Sequence, residues 1–246
     1  MNKKSWSVFA LIVIAIIGGL IYMSLQNRLD VSNISQDRIN GVLAGEERNG
    51  HIGDHTKGNT QAKVRLIEYG DYQCPGCRTS TEEVDKLMSK YQDHLELVFR
   101  NFPIPSLHPN ARAAAAVAEA AGLQGKYWQM HDLLYKNQTS WSTASSKERS
   151  DAFLGYAKQL QLNEQQFTRD LNSAKIAQKI DYDVAIARKQ NITGTPAFYL
   201  NGKAVQRQKD GDLEKAVVEA LKQAGVNLDT AQKTEGQSSA ESTETQ

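Results

Sequence analysis

Cys74 and Cys77 are the only two cysteines in a chain of 246 residues, and they sit in one Cys-Pro-Gly-Cys run. No other feature constrains the chain as much. A small scaffold stapled by disulfides uses more cysteines, spread along its length. A structural zinc site takes four ligands, of which one CxxC supplies half. The five histidines (His51, His55, His94, His108, His131) show no tight metal spacing, so no metal is expected. What remains is a dithiol pair suited to disulfide exchange, in which one thiolate attacks and a second thiol releases the mixed disulfide.

The residues around the pair support that chemistry. Val64 to Tyr69 reads as a buried strand, and after the cysteines Val84, Leu87, Met88 and Tyr91 fall at i, i+3, i+4 and i+7, one stripe of a helix. Pro75 suits the first helical position, where its fixed φ and missing N–H cost nothing. The start of that helix presents free backbone N–H groups and positive dipole to the Cys74 sulfur, which favours the thiolate. Cys77, one turn further in, is the more buried thiol and the resolving one. The competing reading is an inert structural disulfide.

The remaining periodicities give an order of elements. Leu95–Phe102 predicts a second strand. Helices are expected over Pro109–Ala121, Lys126–Asn137, Ser146–Leu160, Asn163–Asn172 and Ala174–Gln190. Ala197–Leu200 predicts a strand, Asn201-Gly202 a type I′ hairpin turn, Lys203–Gln206 the return strand and Asp212–Ala224 a closing helix. The order β-α-β, helical block, β-β-α predicts an α/β thioredoxin-like fold over 52–228, with a helical insertion over about 105–190.

The two ends differ from this domain. Residues 1–5 contain Lys3 and Lys4, and an uncharged run follows from Ser5 to Asn27. Its core, 6–25, has the roughly 20 residues that cross a bilayer as a helix. It ends without the small-residue cleavage site of a signal peptide, so an uncleaved single-pass signal anchor is expected. The lysines favour a cytoplasmic N-terminus and an extracytoplasmic domain. Residues 26–51 read as a polar stalk with a short helix near Val31, Ile34, Val42 and Leu43. Residues 229–246, rich in Ser, Thr, Glu and Gln, read as a disordered tail. With a formal net charge of +1, nothing points to nucleic acid.

A second constellation lies downstream, in the run from Thr193 to Phe198. A proline opening a buried strand deletes a ladder donor, and a cis peptide at Thr195–Pro196 accounts for it. If that turn faces Cys74, Thr195 offers backbone groups to an extended substrate segment, with Pro75 and Gly76 on the other side. Glu68 stands six positions before Cys74. It is a candidate to accept the Cys77 proton, or else a structural acid, with Arg100 as its partner. Asp71, Tyr72 and Gln73 read as shaping the rim, His131 as a hydrogen-bonded structural histidine, and Trp128, Tyr135 and Trp141 as packing residues.

Residues 62–77, ending in Cys74-Pro75-Gly76-Cys77, resemble the disulfide-oxidoreductase family of DsbA type, especially its membrane-anchored, Gram-positive-like members. Gln124 to Asp132 is similar to that family's inserted helical region, and Asn191 to Gly202 resembles its cis-proline strand and hairpin. The family implies Cys74 as nucleophile, Cys77 as resolving thiol and Pro196 in cis. One departure is the Pro-Gly between the cysteines, where strongly oxidising members often have Pro-His. The resemblance implies disulfide formation in secreted or surface proteins, with cysteine-containing clients, no cofactor of the chain's own, and reoxidation by a membrane partner of quinone-linked type. Two alternatives stand beside it: an isomerase or reductase using the same pair, and a peptide-binding chaperone module without redox turnover.

Overall fold

In the computed structural model, which describes residues 11–19, 29 and 31–228, the predicted strand after residue 63 forms as β2 (Val64–Gly70). It pairs in parallel with β3 (Leu95–Asn101), Val64 opposite Leu95 and Gly70 opposite Asn101. Both strands are almost wholly buried, which explains their near-continuous apolar reading. A parallel pair needs a long crossover, supplied by α1 (Pro75–Tyr91). β4 (Ala197–Leu200) runs antiparallel to β2, and β5 (Lys203–Ala204) returns from it. Asn201 and Gly202, with φ of 46° and 79°, make the left-handed turn between them.

Among the described residues the sheet has five strands, in the order β1 (His55–Gly58), β3, β2, β4, β5. β1 has no apolar alternation and no strand is predicted there. It forms because β3 offers it an antiparallel edge, and Trp128 Nε1 donates to its Thr56 carbonyl at 2.7 Å.

Six helices lie between β3 and β4: α2 (Ala111–Gly122), α3 (Tyr127–Lys136), α4 (Gln138–Trp141), α5 (Ser146–Gln159), α6 (Glu164–Leu171) and α7 (Ala174–Lys189). All fall within the predicted insertion. Their starts follow local signals. Ser145 and Glu148 form a capping box at α5, and the Asn163 side chain caps α6. α8 (Asp212–Gln223) closes the fold. Val64, Leu66, Leu97 and Phe99 share one face of the sheet. Val64 and Leu66 pack with Val84 and Leu87 of α1 and with Leu213, Val217 and Leu221 of α8. Tyr72, Cys77 and Phe99 join a second core built on α2, α3, α5 and α7. Both cysteines belong to this second core, just beyond the C-terminal end of β2.

The predicted polar stalk needs correction from residue 34 onward. Residues from Ile34 belong to the same compact unit as the domain, and Ile34, Ile39, Leu43 and Asn49 are buried. The physical reason is Arg100. Its buried guanidinium needs acceptors, and it donates to the carbonyls of Ile39 (2.6 Å) and Gly41 (2.7 Å) and to Asp54 Oδ2 (2.7 Å). The expected short helix is a single turn, Gln36–Ile39, and Val42 stays 41% exposed.

Asp54 is the hub of a wider buried network. Lys179 Nζ bridges Asp54 Oδ1 (3.0 Å) and Asp183 Oδ1 (2.7 Å). Asn101 then links Asp183 to Glu119, and His55 Nε2 lies 2.9 Å from that carboxylate.

Residues 11–19 are helical, with Leu11, Ile12, Ile14, Ile16 and Ile17 exposed. The other residues of the predicted membrane segment 6–25, the predicted cytoplasmic residues 1–5 and the predicted tail 229–246 lie outside the described residues. Among the described residues no helix is long and apolar enough to cross a membrane.

Candidate active site

Cys74 is the N-cap of α1 and Pro75 its first residue. Pro75 and Gly76 are exposed, Cys74 is 8% exposed and Cys77 is fully buried. Both cysteines are free thiols in this structure. The Cys74 pKa is lowered to about 5, first by a hydrogen bond from the Cys77 thiol, then by the Thr195 side chain and by the backbone N–H groups of Cys77 and Gly76, against the opposing effect of burial. Burial pushes the Cys77 thiol far up, and its hydrogen bond to Cys74 adds to this. One sulfur is therefore a thiolate at neutral pH and the other a protonated thiol.

The Thr195–Pro196 peptide is cis, and it faces the pair. The Cys74 thiol donates to the Thr195 carbonyl at 3.3 Å. The Thr195 hydroxyl approaches the same sulfur without completing a hydrogen bond. A Cβ added at Gly76 would stand 3.3 Å from Pro196 Cδ and 3.7 Å from the Cys74 sulfur, so glycine lets the helix start lie close against the proline. The sequence-predicted group of Cys74, Cys77, Pro75, Gly76, Thr195 and Pro196 thus comes together at one place.

Glu68 is 2% exposed, and burial raises its pKa to about 8. It interacts electrostatically with both cysteines. Its Oε1 has no hydrogen-bond partner among the described residues. The predicted pairing with Arg100 does not form. Arg100 is the register partner of Tyr69, and Glu68 that of Phe99, so the two side chains leave opposite faces of the sheet. Arg100 meets Asp54 and the Tyr69 hydroxyl instead.

Asp71 and Tyr72 are more than rim. The Asp71 N–H donates to the Cys77 sulfur at 3.5 Å. The Asp71 carboxylate accepts from the backbone of Gln73 (2.8 Å) and Ile104 (2.9 Å), and His108 Nδ1 lies 2.8 Å away. Tyr72 packs against Phe99, His131 and Tyr135. His131 is buried among those rings, its Nδ1 3.1 Å from Asp132. Sequence reasoning missed Gln138, whose buried amide donates to the carbonyls of Tyr72 (2.8 Å) and Cys74 (3.0 Å). It also missed Arg207, bound to Ser80 and Glu83 of α1. Neither stands in a motif, and no signal in the sequence alone marks them.

A family model described as thioredoxin matches residues 51–220. The chain belongs to the thioredoxin family. A thioredoxin-like oxidoreductase from Silicibacter pomeroyi DSS-3 is 28% identical and superposes with a TM-score of 0.57, over 69% of this chain and 92% of that one. BdbD from Bacillus subtilis, in its oxidised form, superposes with a TM-score of 0.61 at 21% identity, over 74% of this chain and 99% of that one, a likeness of fold alone. The thiol-disulfide exchange protein alpha-DsbA2 from Wolbachia pipientis shares the thioredoxin-family fold in the same sense, with a TM-score of 0.58 at 23% identity over 68% of this chain and 86% of that one. Among curated proteins, Na(+)/H(+) antiporter NhaA 1 from Salinispora arenicola is 37% identical over 150 residues, which is 61% of this chain and 22% of that protein. The chain spans only about a fifth to a quarter of the curated relatives it matches, and the antiporter name belongs to those longer proteins.

Proposed function

We propose that this chain is a membrane-anchored thiol–disulfide oxidoreductase that donates the Cys74–Cys77 disulfide to cysteine-containing clients outside the cytoplasm. The observation that carries the reading is the split between the two sulfurs, one lowered to about 5 at a helix start, the other buried and protonated. Stabilising the Cys74 thiolate stabilises the reduced pair, and that makes the oxidised pair the better disulfide donor.

A client thiolate attacks Cys74 Sγ. The Cys74–Cys77 bond breaks, and the Cys77 sulfur leaves with a proton from Glu68, which is mostly neutral at pH 7 with its pKa near 8. A second client thiolate attacks the client sulfur of the mixed disulfide and expels Cys74, a good leaving group because its pKa is low. Two electrons have then passed from the client dithiol to the pair. They leave when Cys74 attacks the disulfide of a membrane partner of quinone-linked type and Cys77, giving its proton back to Glu68, closes on Cys74. The Thr195 carbonyl and the exposed Pro75 and Gly76 line the place where an extended client segment docks.

The anchor is the segment 6–25. Supporting it are the exposed apolar side chains of the helix over 11–19. Matching stretches within longer proteins named as antiporters agree with work beside a membrane. In this reading the catalytic domain lies on the extracytoplasmic side, and a membrane-impermeant maleimide should label Cys74 in intact cells. Labelling only after lysis would remove the location. For the activity, the full chain should catalyse oxidation of a reduced dithiol peptide, and Cys74→Ser should lose that catalysis. A Cys74→Ser protein that still turned over would sink the reading.

A further inference from the structure

Asp71 follows Gly70, the last residue of β2, and its backbone serves both cysteines. Its carbonyl accepts from the Cys74 N–H at 3.0 Å, and its N–H donates to Cys77 Sγ at 3.5 Å. Its side chain is wholly buried. Oδ1 accepts from the Gln73 N–H (2.8 Å) and Oδ2 from the Ile104 N–H (2.9 Å), and His108 Nδ1 lies 2.8 Å from Oδ2. A carboxylate only accepts, so Nδ1 carries the proton and donates. His108 belongs to the connection between β3 and α2, a run in which Pro103, Pro105 and Pro109 restrict the backbone. The Phe102 N–H donates to the Gly70 carbonyl at 2.7 Å, and the N–H groups of Leu107 (2.9 Å) and His108 (2.8 Å) close a turn on the Ile104 carbonyl. The imidazole thus comes from a braced loop, and the Asp71 carboxylate ties that loop to the turn that carries the cysteines.

We propose that His108 is a positioning residue for disulfide exchange: through the Asp71 carboxylate it aims the Asp71 N–H at the Cys77 sulfur, where negative charge gathers in both directions of the reaction. This rests on the oxidoreductase reading above and deepens it. When a client thiolate attacks Cys74, the Cys74–Cys77 bond breaks and its electron pair stays on Cys77 Sγ until the proton from Glu68 arrives. When the pair closes again, Cys77 gives up its proton, and its thiolate attacks Cys74 Sγ in the mixed disulfide and expels the partner's sulfur. Both steps place charge on a buried atom. Burial disfavours that charge, and so do Cys74 and Glu68, whereas the Asp71 N–H favours it. A donor held in place before the charge develops needs no reorganisation when it does. Without the imidazole, the Asp71 carboxylate loses a link to the braced loop, and the aim of the N–H loosens.

The test uses the reduced full-length chain mixed with 5,5′-dithiobis(2-nitrobenzoate) in stopped flow at neutral pH. Attack by Cys74 releases the first thionitrobenzoate. Attack by Cys77 on the resulting mixed disulfide releases the second, independent of reagent concentration. Two neutral amides then replace the imidazole. His108→Asn puts its amide nitrogen where Nδ1 stands and should keep the wild-type rate of second release. His108→Gln puts it further out, near the place of Nε2, and should slow that release about threefold. Losing one hydrogen bond lowers the Cys77 thiolate population about tenfold, and the greater nucleophilicity of the more basic thiolate recovers part of it. The first release should be unchanged in both variants. Asp71→Ala should slow the second release as His108→Gln does, and combining the two should slow it no further. Equal second-release rates in the Asn and Gln variants, or a further slowing by His108→Gln in the Asp71→Ala background, overturn the proposal. A wild-type chain with no second release at all would instead overturn the oxidoreductase reading.

Discussion

The Cys74 sulfur lies 3.3 Å from the carbonyl oxygen of Thr195. As a thiol, Cys74 donates to that oxygen. As a thiolate it has nothing to donate, and a carbonyl oxygen does not stabilise an anion. The stabilisation comes instead from the Cys77 thiol, the nearby Thr195 hydroxyl and the N–H groups at the start of α1. Ionisation therefore frees the Thr195 carbonyl at the moment Cys74 becomes reactive, and a client backbone N–H is the natural replacement partner.

That ionisation is directly observable. Thiolate absorbance at 240 nm in the reduced protein should titrate with a midpoint near 5, well below the roughly 8.5 of a free cysteine. The rate of attack by Cys74 should rise through that midpoint and level off above it. Because the folded pKa is depressed, Cys74 contributes stability that is full above its unfolded pKa and is lost as pH falls through about 5. Cys74→Ser should remove that slope from the reduced protein.

Glu68 should act in the opposite sense over the same range. Its folded pKa is raised from 4.5 to about 8, so its contribution is full below 4.5 and is lost as pH rises through about 8. Glu68→Gln keeps the shape and removes the charge. Chemical denaturation at pH 8.5 should find it more stable than the wild type, by roughly 2–4 kcal/mol. At pH 4 the two should be nearly equal.

Gln138→Ala removes the amide that holds the Tyr72 and Cys74 carbonyls. Two buried acceptors then lose their donor, at a cost of about 1–3 kcal/mol. Thermal unfolding should show the loss. Exchange by the reduced chain should also slow, because the loop that presents Cys74 is no longer fixed.

Lys179→Met leaves Asp54 and Asp183 buried without their shared cation. Breaking a buried pair in this way costs about 3–5 kcal/mol. Asp183 is already raised to about 6 by burial. Below that pH it takes up a proton readily, so the penalty measured by denaturation should shrink on acidification.

Much of this architecture was legible from local rules. Apolar periodicity and the Asn201-Gly202 turn each act within a few residues, and the elements they predict lie within one or two residues of those observed, whereas the short α4 went unpredicted. β1 and the segment 34–51 were not legible. Their order comes from partners far along the chain, Phe99 and Arg100, that only the fold brings near. At the site, the cysteines and the proline announced themselves because their covalent chemistry is distinctive. Glu68 was visible as an acid, but its surroundings were not. One step of strand register turned Arg100 to the far face, and the cation on the near side, Arg207, arrives from a connection with no pattern of its own.

The most direct measurement is equilibration of the full chain in glutathione buffers of graded composition, followed by acid quench, thiol alkylation and mass analysis. The expected result is a reversible Cys74–Cys77 disulfide, with a potential nearer the roughly −120 mV of strong oxidants than the roughly −270 mV of thioredoxin. A pair that stays fully reduced or fully oxidised throughout, or that equilibrates near the lower value, would contradict it.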